Sequence, residues 1–255
     1  MTLILTPVPG IPIIYPGDDL TRIILSCLSQ ANIDLQDNDI LVIAQKIVSK
    51  AEGRYVNLTE IEPSERAKEL AVQSKKDPRV VELILRESKE VLRVRPGSII
   101  VEHYLGFVSA SAGIDHSNVN NLGGAPEDWV LLLPKNPDQT ANNMRIAIKS
   151  QLNTFIGVLI IDSHGRAWRL GTVGVAIGLA GMPGLVDLRG EPDLFGYRLQ
   201  ITTVGAADEL AAAASLVMGQ ASEGTPVVHV RGFPYPMRDG SLQELLRPKE
   251  QDMFR

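Results

Sequence analysis

The sequence predicts an α+β fold, in which strands and helices mix without a regular βαβ alternation. Short apolar runs predict strands, and amphipathic segments that follow capping residues predict helices. No internal repeat or low-complexity tract stands out in the 255 residues. Because no linker is obvious, we predict a single domain over residues 1–255. The glycine-rich segment 171–205 differs in composition and is a candidate sub-lobe within it.

Strands are predicted where apolar runs are bounded by Gly, Pro or polar residues. A further strand is predicted after residue 171, where Val173, Val175, Ile177 and Leu179 alternate with small residues. The glycines there indicate close backbone packing or a bulge. The other predicted strands cover residues 2–8, 39–44, 98–102, 107–111, 129–133, 156–161, 199–203 and 226–231.

Helices are predicted where apolar residues recur at helical spacing behind an N-terminal capping signal. Asp77 and Pro78 form such a signal, and the helix they begin is expected to include Val91 and Leu92 and to stop at residues 96–97. The other predicted helices cover residues 17–28, 64–74, 137–154 and 207–218, with a short polar helix after residue 240.

Composition excludes several classes of protein. Apolar residues make up 44% and charged residues 22%, so the chain is not expected to be disordered. A net charge of −5 argues against a broad nucleic-acid surface, although a local basic pocket stays open. The single Cys27 excludes an intrachain disulfide, and we expect it to be a buried apolar residue. Neither a signal peptide nor an apolar run of about 18 residues is present, so we expect a cytoplasmic protein without a membrane span.

Two aspartates follow predicted strands that are far apart in the chain. Asp115, with Ser117 and Asn118 close behind it, follows the strand at 107–111 and a small-residue turn. Asp162 follows the strand at 156–161 and is expected to lie in a loop with Gly165. Carboxylate, hydroxyl and amide oxygens suit Mg²⁺ or Mn²⁺, although the same residue types also form ordinary turns.

Histidines lie beside both aspartates, at His116 and His164, so a transition-metal site is thinkable. We favour a local supporting role for both of them. Other chemistries lack their motifs: the chain has no Gly-x-Ser-x-Gly hydrolase turn, no Rossmann Gly-x-Gly-x-x-Gly, no P-loop ending and no His-x-x-x-His pair.

Basic residues accompany the same strand ends. Lys46 and Lys50 lie four apart just after the strand at 39–44, so on a helical turn they would face the same way. Arg166 and Arg169 follow Asp162. Each residue alone is typical of a solvated surface, but as a set they would suit phosphates.

Ordered motifs along nearly the whole chain resemble one family, the coenzyme F420-0:γ-glutamyl ligases. These GTP-dependent enzymes add L-glutamate to a deazaflavin precursor. The motifs are Pro9-Gly10-Ile11-Pro12, Ile47-Val48-Ser49-Lys50-Ala51-Glu52-Gly53-Arg54, Ala112-Gly113-Ile114-Asp115-x-Ser117-Asn118, Leu132-Leu133-Pro134-x-x-Pro137-Asp138, Asp162-x-x-Gly165-Arg166-x-x-Arg169, Ala176-Ile177-Gly178 and Ala207-Asp208-Glu209-Leu210-Ala211.

The resemblance implies an unusual mixed α+β fold that forms an intertwined homodimer. It implies GTP, L-glutamate and F420-0 as substrates, Mg²⁺ or Mn²⁺ as cofactor with K⁺ assisting, and neither a nucleic-acid nor a membrane partner. Since the chain ends at Arg255, we expect no fused flavin-binding domain.

The resemblance also implies roles for individual residues. The implied metal ligands are Asp115, Asp162, Ser163 and Gln220. The implied GTP-binding residues are Ile11, Pro12, Ile13, Ile14, Gln45, Lys46, Lys50, Asn118, Met218, Gly219, Gln220, Ala221, Ser222, Glu223, Gly224 and Thr225. Arg166 and Arg169 are the catalytic candidates, each holding a phosphate or a substrate carboxylate.

Four positions depart from the family's usual pattern: Ser111 replaces Asn, Ser163 replaces Thr, His164 replaces an apolar residue or Asn, and Gln220 stands where Glu can serve. We expect transfer of the γ-phosphoryl group of GTP to the F420-0 carboxylate, followed by attack of the glutamate amine on the acyl phosphate. Two alternatives stay open: γ-glutamyl ligation to another acceptor such as a folate, and a non-catalytic GTP-binding relative. The segment 118–128, rich in Asn, Gly and Pro, is a candidate lid or subunit-exchange element.

Overall fold

A computed structural model describes residues 2–119 and 125–253. Mixed helices and strands confirm the α+β class. The helices are α1 (Leu20–Gln30), α2 (Gln45–Ala51), α3 (Glu65–Ser74), α4 (Pro78–Arg86), α5 (Pro137–Leu152) and α6 (Ala206–Met218). The strands are β1 (Ile4–Pro7), β2 (Ile40–Ala44), β3 (Tyr55–Asn57), β4 (Ser88–Arg95), β5 (Ser98–His103), β6 (Val108–Ala110), β7 (Trp129–Leu131), β8 (Gly157–Arg166), β9 (Arg169–Ala180), β10 (Val186–Asp187), β11 (Thr203–Val204) and β12 (Val227–Arg231).

The central sheet has five strands in the order β1-β12-β2-β8-β9. Strands β2 and β8 run parallel, with Ile40 opposite Gly157 and Ala44 opposite Ile161, whereas the other neighbours are antiparallel. Parallel strands end at the same edge of a sheet, and ligands of α/β sheets often bind there. The carboxyl ends of β2 and β8 therefore mark the edge where a site is expected.

Helices cover both faces of this sheet. On one face α1 and α5 bury Ile24 and Ile148 against the inward side chains of β2 and β8, and on the other face α6 packs through Leu210. Two glycines in β9 allow the close approach, because a Cβ at Gly174 would lie 2.4 Å from Ala211 O and one at Gly178 would lie 2.4 Å from Pro137 Cβ. The predicted tight packing of this strand is confirmed.

A second layer of structure adjoins the central sheet. Antiparallel strands β4, β5 and β6 form a three-stranded sheet, and β3 pairs with β7. Helices α3 and α4 close a separate apolar cluster over them, in which Leu70, Ile84 and Val101 are buried. The β6 end of this layer leads into the turn that carries Asp115.

The predicted helix over residues 78–95 is wrong beyond Arg86. The Ser88 hydroxyl donates to the carbonyl of Ile84 at the helix end, and the chain then pairs as β4 with β5. Gly97 adopts a left-handed φ of 84° in the connecting turn. Two irregularities in the β4 register blur the alternation that would have marked a strand.

Three other boundaries differ from prediction. Asp162 does not lie in a loop, because β8 continues to Arg166 and pairs with β9 over that length. Of the predicted strand at 199–203 only Thr203 is in a strand, β11, which pairs with β10. The chain after residue 240 forms two short 3₁₀ turns, Leu242–Glu244 and Lys249–Gln251, rather than a helix.

The glycine-rich segment 171–205 is divided between two places. Its first part belongs to β9 in the central sheet, and its second part forms a loop beside β10 and β11. Of the candidate lid at 118–128, residues 120–124 lie outside the described part of the chain. No helix among residues 2–119 and 125–253 is long and apolar enough to cross a membrane.

Candidate active site

A cavity of about 570 Å³ opens at the carboxyl ends of β2 and β8. Its walls come from four parts of the chain: the β2–α2 junction, the turn after β6, the outer half of β8, and the loop after α6. The side chains that carry its chemistry are Gln45, Lys46, Lys50, Asp115, Ser117, Asn118, Asp162, Ser163, His164 and Gln220.

Helix α2 starts directly at the end of the buried strand β2, so its first turn faces the cavity. Gln45 is held in place because its amide oxygen accepts a hydrogen bond of 2.9 Å from the Ser49 hydroxyl. Lys46 and Lys50, one turn apart, both line the cavity, and Lys50 is buried. The predicted common orientation of the two lysines is confirmed.

The turn after β6 places Asp115. Ser111 and Ala112 adopt left-handed φ values of 52° and 53°, which residues with a Cβ adopt at a cost. Gly113 follows with a φ of 67°, and a Cβ there would lie 2.6 Å from Leu133 Cδ1. Asp115 then pairs through its backbone with Leu131. The turn before Asp115 and the backbone hydrogen bonds to Leu131 together fix the position of the Asp115 backbone.

The Asp115 carboxylate is contacted by two residues of α2 that lie about 70 positions away in the chain. Gln45 Nε2 donates to Oδ2 at 2.8 Å, and Lys46 Nζ lies 3.5 Å from Oδ1. Lys46 also donates to the Ser117 hydroxyl at 2.7 Å. These contacts join the turn after β6 to the edge of the central sheet.

Charges at the site are incompletely compensated. Burial raises the pKa of Asp115, and the neighbouring Asp162 raises it further, which together outweigh the contacts from Lys46 and Gln45. Burial lowers the pKa of Lys50, and the positive charge of Lys46 adds to that effect. Such opposed shifts within one cavity are typical of a functional site.

Strand β8 presents side chains to the cavity on both of its faces. Ser163 donates to the Gln220 amide oxygen at 2.9 Å, and Gln220 donates in turn to the Ser215 hydroxyl at 2.9 Å. On the opposite face His164 Nε2 lies 3.0 Å from Asp162 Oδ2. Ser215 was not predicted as a site residue. The one signal in the sequence that could have indicated it is its position in the last turn of α6, just before the loop that carries Gln220.

Most of the predicted site residues come together in this cavity. Along the loop after α6, Met218, Gly219, Gln220, Ala221, Glu223, Gly224 and Thr225 line it, whereas Ser222 does not. The segment from Ile11 to Ile14 lies outside the lining, with Ile14 buried in the core and Ile13 exposed. Arg166 and Arg169 are exposed at the β8–β9 turn and also lie outside it. Their roles stay predictions.

The ligand types available to a cation here are few. Within residues 2–119 and 125–253, no three side chains of His, Cys, Asp and Glu converge into a group able to hold a metal ion. The cavity instead offers two carboxylates, together with hydroxyl and amide oxygens. A cation at this place would take further ligands from a bound substrate.

Comparison with known proteins decides the family. The model of the F420-0:gamma-glutamyl ligase family matches residues 10–232. The chain belongs to this family. It is 46% identical to the coenzyme F420:L-glutamate ligase of Methanothermobacter thermautotrophicus over the full length of both chains. The protein of the same name from Methanopyrus kandleri is 45% identical, covering 100% of this chain and 98% of its own, and that from Archaeoglobus fulgidus is 41% identical, covering 98% and 95%.

Proposed function

We propose that this F420-0:gamma-glutamyl ligase family member is a GTP-dependent ligase that forms a γ-glutamyl amide on coenzyme F420-0. The observation that carries the proposal is that two carboxylates and two lysines from distant parts of the chain meet in one cavity. The names of the relatives support glutamate ligation in F420 biosynthesis.

The lysine side of the cavity would bind the nucleotide phosphates. Lys50 is buried, and burial disfavours its charged form, so an anion beside it would be strongly stabilised. Lys46 reaches the same space while it is held by Asp115 and Ser117. The loop after α6 forms the adjoining wall, held by a hydrogen bond from the Thr225 hydroxyl to the Met218 carbonyl.

The carboxylate side fits a divalent cation. Asp162 raises the pKa of Asp115, so two carboxylates repel each other across the cavity, and a cation between them would relieve that repulsion. Asp115, Asp162, the Ser163 hydroxyl and the Gln220 amide oxygen would hold Mg²⁺ or Mn²⁺, both of which prefer oxygen ligands. The bound ion would neutralise charge on the phosphates. The assisting K⁺ ion stays a prediction.

The proposed reaction has two steps and needs no covalent intermediate with the enzyme. The terminal carboxylate of F420-0 attacks the γ-phosphorus of GTP, which gives an acyl phosphate and GDP. The amine of L-glutamate then attacks the acyl carbon, loses a proton, and displaces inorganic phosphate as the amide bond forms. Lys46 and Lys50 would hold the transferred group in line, because phosphoryl transfer is accelerated mainly by positioning and by neutralising charge.

The purified chain should be incubated with GTP, L-glutamate, F420-0 and Mn²⁺ or Mg²⁺. We expect a product heavier by one glutamyl group and an equal amount of phosphate. Parallel reactions with ATP and with a folate acceptor test the nucleotide and the acceptor. Glutamyl transfer to the folate alone, or tight GTP binding without phosphate release, would contradict the proposal.

We also propose that the chain acts as a homodimer. Two projections expose large apolar side chains: the β8–β9 turn exposes Trp168 and Leu170, and the loop beside β10 exposes Leu194, Phe195 and Ile201. Clusters of exposed large apolar side chains are typical of protein interfaces. Light scattering should give twice the chain mass, and Leu194→Asp with Phe195→Asp should give monomers. A monomeric wild-type chain would refute this.

A further inference from the structure

We propose that His164 Nε2 and Asp162 Oδ2 bind the same divalent ion, and that this nitrogen ligand makes the site prefer Mn²⁺ and similar transition cations to Mg²⁺. The inference rests on the proposed cation site and gives its Asp162 side a ligand of a different chemical type. Because no three His, Cys, Asp or Glu side chains converge among the described residues, the ion bound by this pair takes its remaining ligands from substrate or water. It concerns the face of β8 that carries residues 162 and 164, since alternate residues of a strand point to the same side.

The distance between the two atoms suits a shared ion. Nε2 and Oδ2 lie 3.0 Å apart. An imidazole nitrogen and a carboxylate oxygen that bind one ion at about 2.1 Å, at right angles, also lie about 3.0 Å apart. A hydrogen bond would have a similar length, so the direction of the nitrogen decides between the two arrangements.

The direction does not suit a hydrogen bond. Although it is close to Asp162, His164 Nε2 has no hydrogen-bond partner among the described residues, and it is buried. A nitrogen that lies 3.0 Å from a carboxylate oxygen without forming a hydrogen bond to it can bind an ion beside that oxygen. A metal ion binds a ring nitrogen at about 2.1 Å, whereas a hydrogen-bonded water lies about 2.9 Å away. The space beside a buried nitrogen can therefore be large enough for an ion although it is too small for a water molecule.

Neighbouring side chains hold the imidazole ring in this orientation. The Phe107 ring packs against it with the centroids 5.0 Å apart, and Phe107 in turn stacks on the buried His103 at 5.2 Å. Ligands whose orientation is fixed beforehand bind metal more tightly. His164 belongs to strand β8, and Phe107 and His103 of the second layer hold its ring in place.

The nitrogen would set the choice of metal. Imidazole suits transition cations, whereas Mg²⁺ prefers oxygen ligands and keeps several waters. Removing the nitrogen should weaken Mn²⁺ binding by about tenfold or more while it changes Mg²⁺ binding much less. A residue that acted only on the orientation of Asp162 would alter the affinities for both cations to a similar extent.

The test is pulsed EPR of Mn²⁺ bound to the chain without nucleotide, so that guanine supplies no nitrogen. We expect ¹⁴N modulation from a directly bound imidazole in the wild type, its loss in His164→Gln, and its retention in His116→Asn. His116 is the matched control, because it lies near Asp115 but does not line the cavity. Calorimetric titration of both cations into the wild type and the two variants measures the ratio of affinities, and circular dichroism confirms folding.

The outcomes separate the two proposals. Bound Mn²⁺ without ¹⁴N modulation in the wild type overturns the role of His164 and leaves the cation site standing. Modulation that persists in folded His164→Gln also overturns it. If Mn²⁺ binds only when GTP is present, the wild type and His164→Gln are compared with GTP bound, and equal ¹⁴N modulation in the two overturns the inference. If Mn²⁺ binds the wild type neither alone nor with GTP, both the inference and the proposed cation site fail. If His164→Gln does not fold, His164→Asn is measured in the same way.

Discussion

Two carboxylates that lie near opposite ends of strand β2 are in opposite situations: Asp39 is buried, whereas Asp115 is half-buried. Before the strand, Asp39 receives hydrogen bonds from Arg231 at 2.7 and 2.9 Å and lies 2.8 Å from His229 Nε2. Burial alone would raise its pKa, but the contacts from Arg231 and His229 outweigh burial and lower the pKa to about 2. At the other end, the turn after β6 brings Asp115 against Gln45 and Lys46 of α2, and its pKa is raised despite these contacts.

The difference separates a structural carboxylate from a functional one. The fold stabilises Asp39 in its ionised form. Its charge is already compensated by neighbouring side chains, so no bound ligand is needed to stabilise it. Asp115 faces another carboxylate across an open cavity, so the fold alone leaves its charge unfavourable. Carboxylates whose charge the fold leaves uncompensated, like Asp115, are expected at sites where a bound ligand supplies the opposite charge.

The largest effect on stability is expected at the first end. Asp39→Asn should lower the free energy of unfolding at pH 7 by about 2–3 kcal/mol, because the buried carboxylate loses its charge-assisted hydrogen bonds, whereas the partly exposed Arg231 regains water. The pKa of Asp39 is lower in the folded chain than in the unfolded chain, so its contribution is present above about pH 4 and is lost as the pH falls toward 2. Urea unfolding of both proteins at several pH values measures this.

Asp187 provides the matched control. Its carboxylate bonds to Arg189, and that contact lowers its pKa to about 2, but the pair is exposed and solvent screens it. Asp187→Asn should leave the urea midpoint nearly unchanged. Equal losses in the two variants would show that burial does not distinguish the two pairs.

At the second end, the expected effect is on activity. Asp115→Asn should reduce glutamate ligation by at least ~100-fold, because the site loses one of its two carboxylates. The same change should raise the melting temperature at pH 7, since the raised pKa means that ionised Asp115 disfavours the folded state. Below about pH 3, where the wild-type carboxyl is protonated, the two melting temperatures should converge.

Asp239→Asn is the control for that prediction, because Asp239 is an exposed carboxylate that does not line the active-site cavity. Ligation and melting temperature should stay close to wild type in this variant. Activity within about tenfold of wild type in Asp115→Asn would contradict the role given to that carboxylate.

A smaller effect is expected from the glycines that accompany the two cavity aspartates. Gly113→Ala should destabilise the chain by about 1–3 kcal/mol, since its Cβ would meet Leu133 and its φ is left-handed. Gly165→Ala, near Asp162, meets nothing within 4 Å and should be nearly neutral. Thermal unfolding of the two variants compares them, and equal melting temperatures would contradict the special position of Gly113.

The smallest effect concerns the backbone before Asp115. Ser111→Gly should stabilise the chain by about 0.5 kcal/mol, because its left-handed φ of 52° costs more with a Cβ than without one. Ala110→Gly, at an ordinary φ of −77°, should destabilise it instead. Opposite signs in chemical denaturation are the expected result, and a loss of stability in both variants would be contrary to it.

Much of the site could be predicted because its parts have local signals. The turn before Asp115 contains Gly113, and the spacing of Lys46 and Lys50 matched one helical turn, so their placement agreed with prediction. The position of Asp162 was predicted wrongly. Polar residues after an apolar run resemble a loop, whereas β9 supplies the pairing that extends β8 through Arg166.

Strand β4 also could not be predicted from the local pattern of apolar residues. Its residues continue the apolar pattern of α4, and only the pairing with β5 makes them a strand. Ser215 and the packing of Phe107 against His164 had no signal at all, because the residues they contact are far away in the chain. Non-local pairing thus decided what periodicity could not.

The sequence by itself determined the α+β class, the capped helix start at Asp77, and the residue types that meet at the candidate site. These follow from backbone preferences and hydrogen bonds between near neighbours. Only the tertiary structure decided that Asp115 and Asp162 face one cavity, and that Asp39 is satisfied while Asp115 is not. Burial and the distance between charges set those outcomes, and both depend on the assembled fold.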